Sequence, residues 1–319
     1  MQRKLSVVIP VYNGEKFIGR ALESVFSQTV PPDEIIVVND GSRDGTAQKL
    51  AEFGDRIQVI SIPNGGVANA RNVGLKACTG DLIALLDADD IWYPDKLEKQ
   101  LAVMQRYPAI GFCCCNYRVL DQSRGEMVGH FSSFSRDPDY NFDAPLKQPA
   151  LELLIRSNFV GTCSNVMFRR ALIDQVGDFK RELKQAEDYE LWIRFSMVTN
   201  FVLMSDQLLE KVTHDTNLTN DFYETMRFHE QVLLTIRNDV LSAGTGLVGL
   251  ERKFREALAD TRYRIGNGAY EARQILRAFG YYFRGLATVW TFRNVGAFLY
   301  HFSRKLIRTV SFGLVRNRA

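Results

Sequence analysis

The chain has 319 residues, 46% of them hydrophobic, and 40 Lys and Arg against 37 Asp and Glu leave a net charge of +3. That apolar content excludes global disorder, and so small a net charge excludes a nucleic-acid binder that works by bulk electrostatics. The length suits one large α/β domain, or one domain plus an appendage. Met1-Gln2-Arg3-Lys4 leads into a strand without a signal-peptide core, and no stretch reaches the ~18 apolar residues of a spanning helix, so a cytoplasmic protein is expected. Leu5–Val11 is β-branched and almost wholly apolar, which predicts a central strand ended by Pro10, since proline cannot donate to a ladder. Tyr12-Asn13-Gly14 turns the chain into a helix with Phe17, Ile18, Ala21, Leu22 and Val25 on one face. Strands are predicted at Glu34–Val38 and Ile57–Ile62. Asn39-Asp40-Gly41-Ser42 ends the first of these, and Pro63-Asn64-Gly65-Gly66 leads from the second into a helix carrying Asn69, Ala70, Arg71 and Asn72.

Leu82–Leu86 reads as a fourth buried strand and delivers three carboxylates within four residues, Asp87, Asp89 and Asp90. Carboxylates so close repel one another unless a cation neutralises them, and a hard divalent ion such as Mg²⁺ or Mn²⁺ takes one or two carboxylates plus phosphate oxygens. The alternative is an acidic turn in which Asp90 caps a helix starting near Trp92. Strands alternating with helices predict a doubly wound, mainly parallel sheet, and such sheets bind ligands beyond the carboxyl ends of their strands. Asp40 there can accept from a ribose or a base, Pro10, Val11 and Tyr12 can wall a base-sized slot, and Arg71 can reach a phosphate. Each also has a plain structural reading as cap, packing or solvated charge. Together they describe a nucleotide-diphosphate site with a metal.

Cys113, Cys114 and Cys115 are adjacent in a strand-like run, Ile110–Tyr117, and the five cysteines show no Cys-x-x-Cys pairing, so buried thiols are expected. Residues 123–149 are polar and aperiodic and read as a long loop; Gly161–Phe168 reads as a strand on the acceptor side. Glu187 and Asp188 open a helix whose Tyr189, Trp192 and Ile193 share an apolar face, and the helix dipole favours anions in that first turn. From about Asn220 the pattern is helical. No Asp or Glu follows Glu271, and Val295, Phe298, Leu299, Phe302, Leu306, Val310 and Leu314 take helical spacing beside His301, Arg304, Lys305 and Arg308. A basic amphipathic helix of that kind can lie on an anionic membrane, which predicts peripheral contact with the inner face; packing on a protein surface is the alternative.

Ser6–Asn13, Val37–Ser42 with Asp44-Gly45-Thr46, Gly65–Asn72 and Leu85–Asp90 together resemble the inverting family-two glycosyltransferases of the GT-A fold, over about residues 5–215. The resemblance implies a GT-A-type, Rossmann-like mixed sheet flanked by helices: a catalytic domain at 1–219, with a nucleotide-sugar half to about 120 and an acceptor half from 121, and a helical, basic region at 220–319. It implies that Pro10, Val11, Tyr12 and Asp40 hold base and ribose and that Arg71 and Asp87 lie at the nucleotide. Asp87 and Asp89 would form the Asp-x-Asp metal motif, Asp89 being the more direct ligand. Asp188 would be the general base, with Glu187 orienting the acceptor or the motif. Glu210-Lys211-Val212-Thr213-His214 matches the family's Tyr-Arg-x-His segment loosely, with His214 completing the metal shell or touching the diphosphate, as Lys211 could. The expected activity is transfer of a sugar from a nucleotide-diphosphate donor to a hydroxyl of a saccharide or lipid-linked acceptor, in cell-surface polysaccharide or glycolipid assembly. The alternatives are a non-catalytic nucleotide-sugar module at the membrane and a sugar nucleotidyltransferase. The latter should carry a glycine-rich, Lys/Arg-bearing loop after the first strand, where Tyr12-Asn13-Gly14-Glu15 stands instead.

Overall fold

The computed structural model describes residues 4–121, 126–213, 221–242 and 248–289. They fall into two units, one within Met1–Leu218 and one within Thr219–Ala319.

The first unit is built on β1 (Leu5–Val11), every residue of which is buried. It pairs in parallel with β2 (Glu34–Asn39) on one side and β4 (Leu82–Leu85) on the other. A strand apolar on both faces needs cover on both. Leu5, Val7, Ile9 and Val11 share a cluster with Ile18, Ala21, Leu22 and Val25 of α1 (Ile18–Phe26), while Val8 faces Gly74 of α3 (Val67–Ala77). The strand runs through Pro10 to Val11. Beyond Val8 only β2 pairs with it, so the missing proline N–H falls where no ladder bond to β4 is due. The short, largely exposed β3 (Gln58–Ser61) closes this edge beside β2, as suits an edge strand.

On the other side of β4 the sheet continues through β8 (Val166–Arg169), β6 (Phe112–Asp121), β9 (Phe201–Thr213) and β5 (Ile91–Trp92), with β7 (Glu126–Gly129) paired to β6. β1, β2, β3, β4, β6 and β9 run one way and β5, β7 and β8 the other, so the sheet is mixed and mainly parallel, as the sequence predicts. An aromatic core joins the far half. Phe112 lies 4.2 Å from Phe201 and 5.0 Å from Trp192 of α7 (Glu187–Ser196), ring centre to ring centre, and Phe168 lies 5.2 Å from Phe195. All five cysteines are buried free thiols.

Three further expectations change. Ile91–Trp92 pairs with Leu209–Glu210 of β9, and the next helix, α4 (Lys96–Arg106), starts only after Asp95. Asp90 therefore caps no helix; its Oδ1 accepts from the Val212 amide of β9. The expected loop at 123–149 contains β7 and a 3₁₀ turn at His130–Ser133, and Pro145 bridges Val202, because Phe131 and Tyr140 find buried seats there. Finally, Gly161–Phe168 becomes strand only from Val166, after a 3₁₀ turn at Cys163–Asn165.

The second unit consists of α8 (Phe222–Ser242), α9 (Val248–Glu271) and α10 (Ile275–Thr288). Ala259, Tyr263 and Ala269 of α9 pack with Ala278 and Tyr282 of α10. None of the described helices is long and apolar enough to cross a membrane. The amphipathic pattern at Val295–Leu314 and its basic residues lie outside the described residues.

Candidate active site

The parallel strands β1, β2, β3 and β4 end on one edge of the sheet, and their loops are stapled together there. The Asp40 amide donates to the Val11 carbonyl (2.9 Å) and the Ile62 amide to that of Asn39 (3.0 Å). Asn13 takes a left-handed φ of 49°, its amide donating to Ser42 Oγ and its Oδ1 accepting from the Arg43 amide. Pro10 and Val11 are buried at the strand end, whereas the Tyr12 side chain stands 49% exposed beside them.

Asp40, 3% exposed, has its carboxylate turned to the loop after β3. Oδ1 accepts from the Gly65 amide (2.8 Å), and Oδ2 accepts from the Gly66 amide (2.9 Å) and Asn64 Nδ2 (3.3 Å). Gly41 follows at φ 72°, where a Cβ would lie 2.7 Å from the Asn64 amide nitrogen, so only glycine lets the two loops meet. Asp40 thus fixes one wall of the cleft and retains its further lone pairs.

Arg71, on α3, is the centre of the arrangement. Its guanidinium, almost fully buried, donates from Nη1 to Glu187 Oε1 (2.5 Å) and from Nη2 to Asp87 Oδ1 (2.7 Å). One residue on, Asn72 Nδ2 donates to the Phe179 carbonyl and Asn72 Oδ1 accepts from the Phe179 amide. The Gly177–Phe179 segment is held from behind by Arg194, which donates to the carbonyls of Val176, Gly177 and Asp178 while paired to Glu190. Helix α3 therefore ties the end of β4 to the start of α7, 116 residues from Arg71 in the chain.

Past β4, the Asp87 amide donates to Ser164 Oγ (2.9 Å), and Thr162 Oγ1 approaches Asp87 Oδ2 at 3.5 Å. Asp87 and Asp89 are half-buried; Asp90 is 2% exposed. Burial, reinforced by Asp89 and Asp87 and opposed by Lys211, pushes the Asp90 carboxyl up to about 8. Its Oδ2 is buried without a hydrogen-bond partner. Among the described residues no three acidic, Cys or His side chains converge as a ready-made cage. The donor set nonetheless fits a hard cation. The acids lie side by side, their crowding raises the cost of ionisation, and Mg²⁺ or Mn²⁺ takes one or two carboxylates and completes its shell with phosphate oxygens and water. His214 lies outside the described residues.

At the start of α7, Ala186 adopts φ 60°, which turns the chain into the helix with Glu187 buried and Asp188 partly buried. Asp188 Oδ1 accepts from the Tyr189 amide (2.6 Å). Burial raises the Asp188 carboxyl above the ordinary 3.8, against the pull of Arg71, and raises Glu187 likewise. Tyr189, whose hydroxyl donates to the Leu154 carbonyl, and the buried Trp192 hold the helix in place.

Sequence reasoning gave no individual role to four neighbours, although two of them, Thr162 and Ser164, fall in the segment it placed on the acceptor side. Ser164 and Thr162 brace Asp87. Tyr117 stacks on His130 at 4.4 Å, and a Cβ on Gly161 would meet the Tyr117 hydroxyl at 2.4 Å. Burial drives His130 down to about 4 while its Nε2 meets the Phe159 carbonyl at 2.9 Å, so the ring is neutral and donates there. No local pattern marks these residues. Only the pairing of β6 with β8 and β9 brings them to the cleft.

The sequence profile of Glycosyl transferase family 2 matches residues 6–177, and the chain belongs to that family. An uncharacterized glycosyltransferase of Rickettsia typhi is 31% identical over 227 residues, covering 71% of this chain and 69% of that protein. A UDP-Glc:α-D-GlcNAc-diphosphoundecaprenol β-1,3-glucosyltransferase of Escherichia coli is 35% identical over 191 residues, 59% of this chain and 68% of that protein. Among solved structures, a mannosyltransferase from Pyrobaculum calidifontis in complex with GDP-Man and Mn²⁺ superimposes with a TM-score of 0.60 at 17% identity, over 96% of this chain and 81% of that one. The fold is of GT-A type and the chain is a glycosyltransferase.

Proposed function

We propose that this enzyme transfers a sugar, with inversion, from a nucleotide-diphosphate sugar to a hydroxyl of a saccharide or lipid-linked acceptor, in polysaccharide or glycolipid assembly. The observation that carries the reading is the double ion pair of Arg71. One buried guanidinium fixes both Asp87, which leads into Asp89, and Glu187, which precedes Asp188. The acids that would handle the leaving group and those that would handle the acceptor are thereby locked in register. The Escherichia coli relative, by its name, acts on a diphosphoundecaprenol-linked sugar, which supports a lipid-linked acceptor.

Tyr12 offers its ring to the base over the buried floor of Pro10 and Val11, and Asp40, already rigid, offers its remaining lone pairs to base or ribose. Asp89 and Asp87 would hold Mg²⁺ or Mn²⁺, as Mn²⁺ in the Pyrobaculum complex suggests. Such an ion supplies Lewis-acid neutralisation of the charge that grows on the departing diphosphate. Lys211, on β9 beside Asp90 and Asp188, adds a cation on the same side. Asp188 takes the proton of the acceptor hydroxyl as that oxygen attacks the anomeric carbon from the face opposite the leaving group. Glu187, bound to Arg71, is a positioning residue that holds the first turn of α7 and with it the base.

Replacing Asp188 with Asn keeps the shape and removes the base. Turnover is expected to fall about 10²- to 10⁴-fold while nucleotide affinity is retained. Unchanged turnover would take Asp188 out of the role, and an anomeric configuration retained in the first-formed product, read by NMR, would overturn the single displacement.

A further inference from the structure

We propose that the second unit carries a binding site for the phosphate of an anionic phospholipid headgroup, in the cleft between α8 and α10 lined by Arg227, Arg277 and Arg284. The cleft has a volume of about 450 Å³, and its other lining residues are Tyr223, Leu276, Gly280 and Tyr281. No carboxylate lines it. Arg227 is paired with Glu224 at 2.9 Å, but among the described residues neither Arg277 nor Arg284 has a carboxylate partner; Arg277 only donates to Gln274 Oε1. From Ala272 to the last residue the sequence contains no acid that could neutralise them.

The cations are held by the cleft itself. Tyr223 and Tyr281 meet edge to face at 6.4 Å and 87°, and each carries a guanidinium over its ring, Arg227 at 5.9 Å and Arg284 at 5.3 Å. A guanidinium supported on an aromatic face loses less freedom when its donor fork closes on a phosphate, which it can grip in bidentate fashion. Between them Gly280 leaves room: a Cβ there would find nothing within 4 Å. Helical spacing puts Arg277, Tyr281 and Arg284 in one row of α10 and Leu276, Gly280 and Phe283 in the next. Leu276 is 88% exposed and Phe283 53%, a cost in water that disappears if both enter the acyl boundary while the arginines stay among headgroups. A phosphate with apolar chains attached satisfies both rows, whereas a soluble phosphate satisfies only one.

The test is flotation of the full chain with vesicles of phosphatidylcholine alone or mixed with phosphatidylglycerol, at fixed salt. Selective flotation with the mixed vesicles is expected. Arg277→Gln with Arg284→Gln should lower partitioning about thirtyfold, each cation near an anionic leaflet being worth about fivefold. Arg277→Lys with Arg284→Lys keeps the charge but not the fork and should also bind more weakly than wild type. Gly280→Glu puts a carboxylate into open space and should cause a comparable loss by an unrelated change; all three variants alter exposed positions, and unaltered melting would show them folded. Partitioning that is indifferent to the glutamine pair, or fully retained by the lysine pair, overturns the site in favour of diffuse charge. Inorganic pyrophosphate that raises the melting temperature of wild type but not of the glutamine pair, with no preference for phosphatidylglycerol, assigns the cleft to a soluble phosphate and also overturns the proposal. The readout does not involve glycosyl transfer, so failure here leaves the catalytic reading untouched.

Discussion

Arg71 contacts two carboxylates from a position only 5% exposed, and truncating it would strand both in a poorly solvated place. Arg71→Leu is therefore expected to destabilise the first unit by about 3–5 kcal/mol, the usual result of removing one partner from a buried ionic group. A denaturant titration would measure it, and a loss below about 1 kcal/mol would mean that Asp87 and Glu187 find water instead. If Asp188 is the base, it must be ionised to act, and burial raises its carboxyl above the ordinary 3.8. The fall of kcat/KM on the acid side should consequently begin at higher pH than an ordinary aspartate would give, since the protonated, inactive form persists further up the scale. A profile still flat at pH near 4 would contradict that burial. In the sequence Arg71 is an ordinary helical arginine; its motif marks it for a phosphate, and nothing local reveals that its two partners are carboxylates from the ends of β4 and the start of α7.

Helix α3 delivers Arg71 because it lies unusually close to β1. A Cβ on Gly74 would fall 2.3 Å from Val8 Cγ1 and 3.4 Å from Val38 Cγ2, so the helix sits at a distance only glycine permits. Gly74→Ala should cost about 1–3 kcal/mol by overpacking despite alanine's better helix propensity. It should also weaken nucleotide binding by lifting Arg71 away from Asp87, which a melting curve with and without nucleotide would separate. An alanine that stabilises the protein would show that the contact relaxes freely. Elements of this kind were readable where their pattern is local. The apolar runs at β1, β2 and β4, the amphipathic α1 and the acidic first turn of α7 all announce themselves by period and by neighbours. What stayed hidden depends on distant pairing: Ile91–Trp92 is a strand because β9 lies beside it, and in the polar stretch after β6, β7 pairs back onto β6 and Asn116 Oδ1 accepts from the Phe131 amide across fifteen residues. Asp40 was legible as a residue at a strand end, while its grip on the Gly65 and Gly66 amides was not.

At the scale of the whole chain, two units with separate cores need not respond alike to a ligand. A donor nucleotide bound as proposed would engage strand ends that all belong to the first unit, so that unit is where its stabilisation should be read. At about 100 times its dissociation constant a nucleoside diphosphate with Mn²⁺ should stabilise that unit by roughly 2.7 kcal/mol, or some 5–10 °C. UDP, GDP, dTDP and CMP compared in this way would identify the base, which the UDP-Glc of the Escherichia coli relative and the GDP-Man of the Pyrobaculum structure leave open. Chelation, or Asp89→Asn, should abolish most of the shift if the crowded acids after β4 meet the diphosphate through a cation. A shift that survives both treatments would give the diphosphate to Lys211 and to backbone amides, and the acids at the end of β4 would then serve only to anchor Arg71.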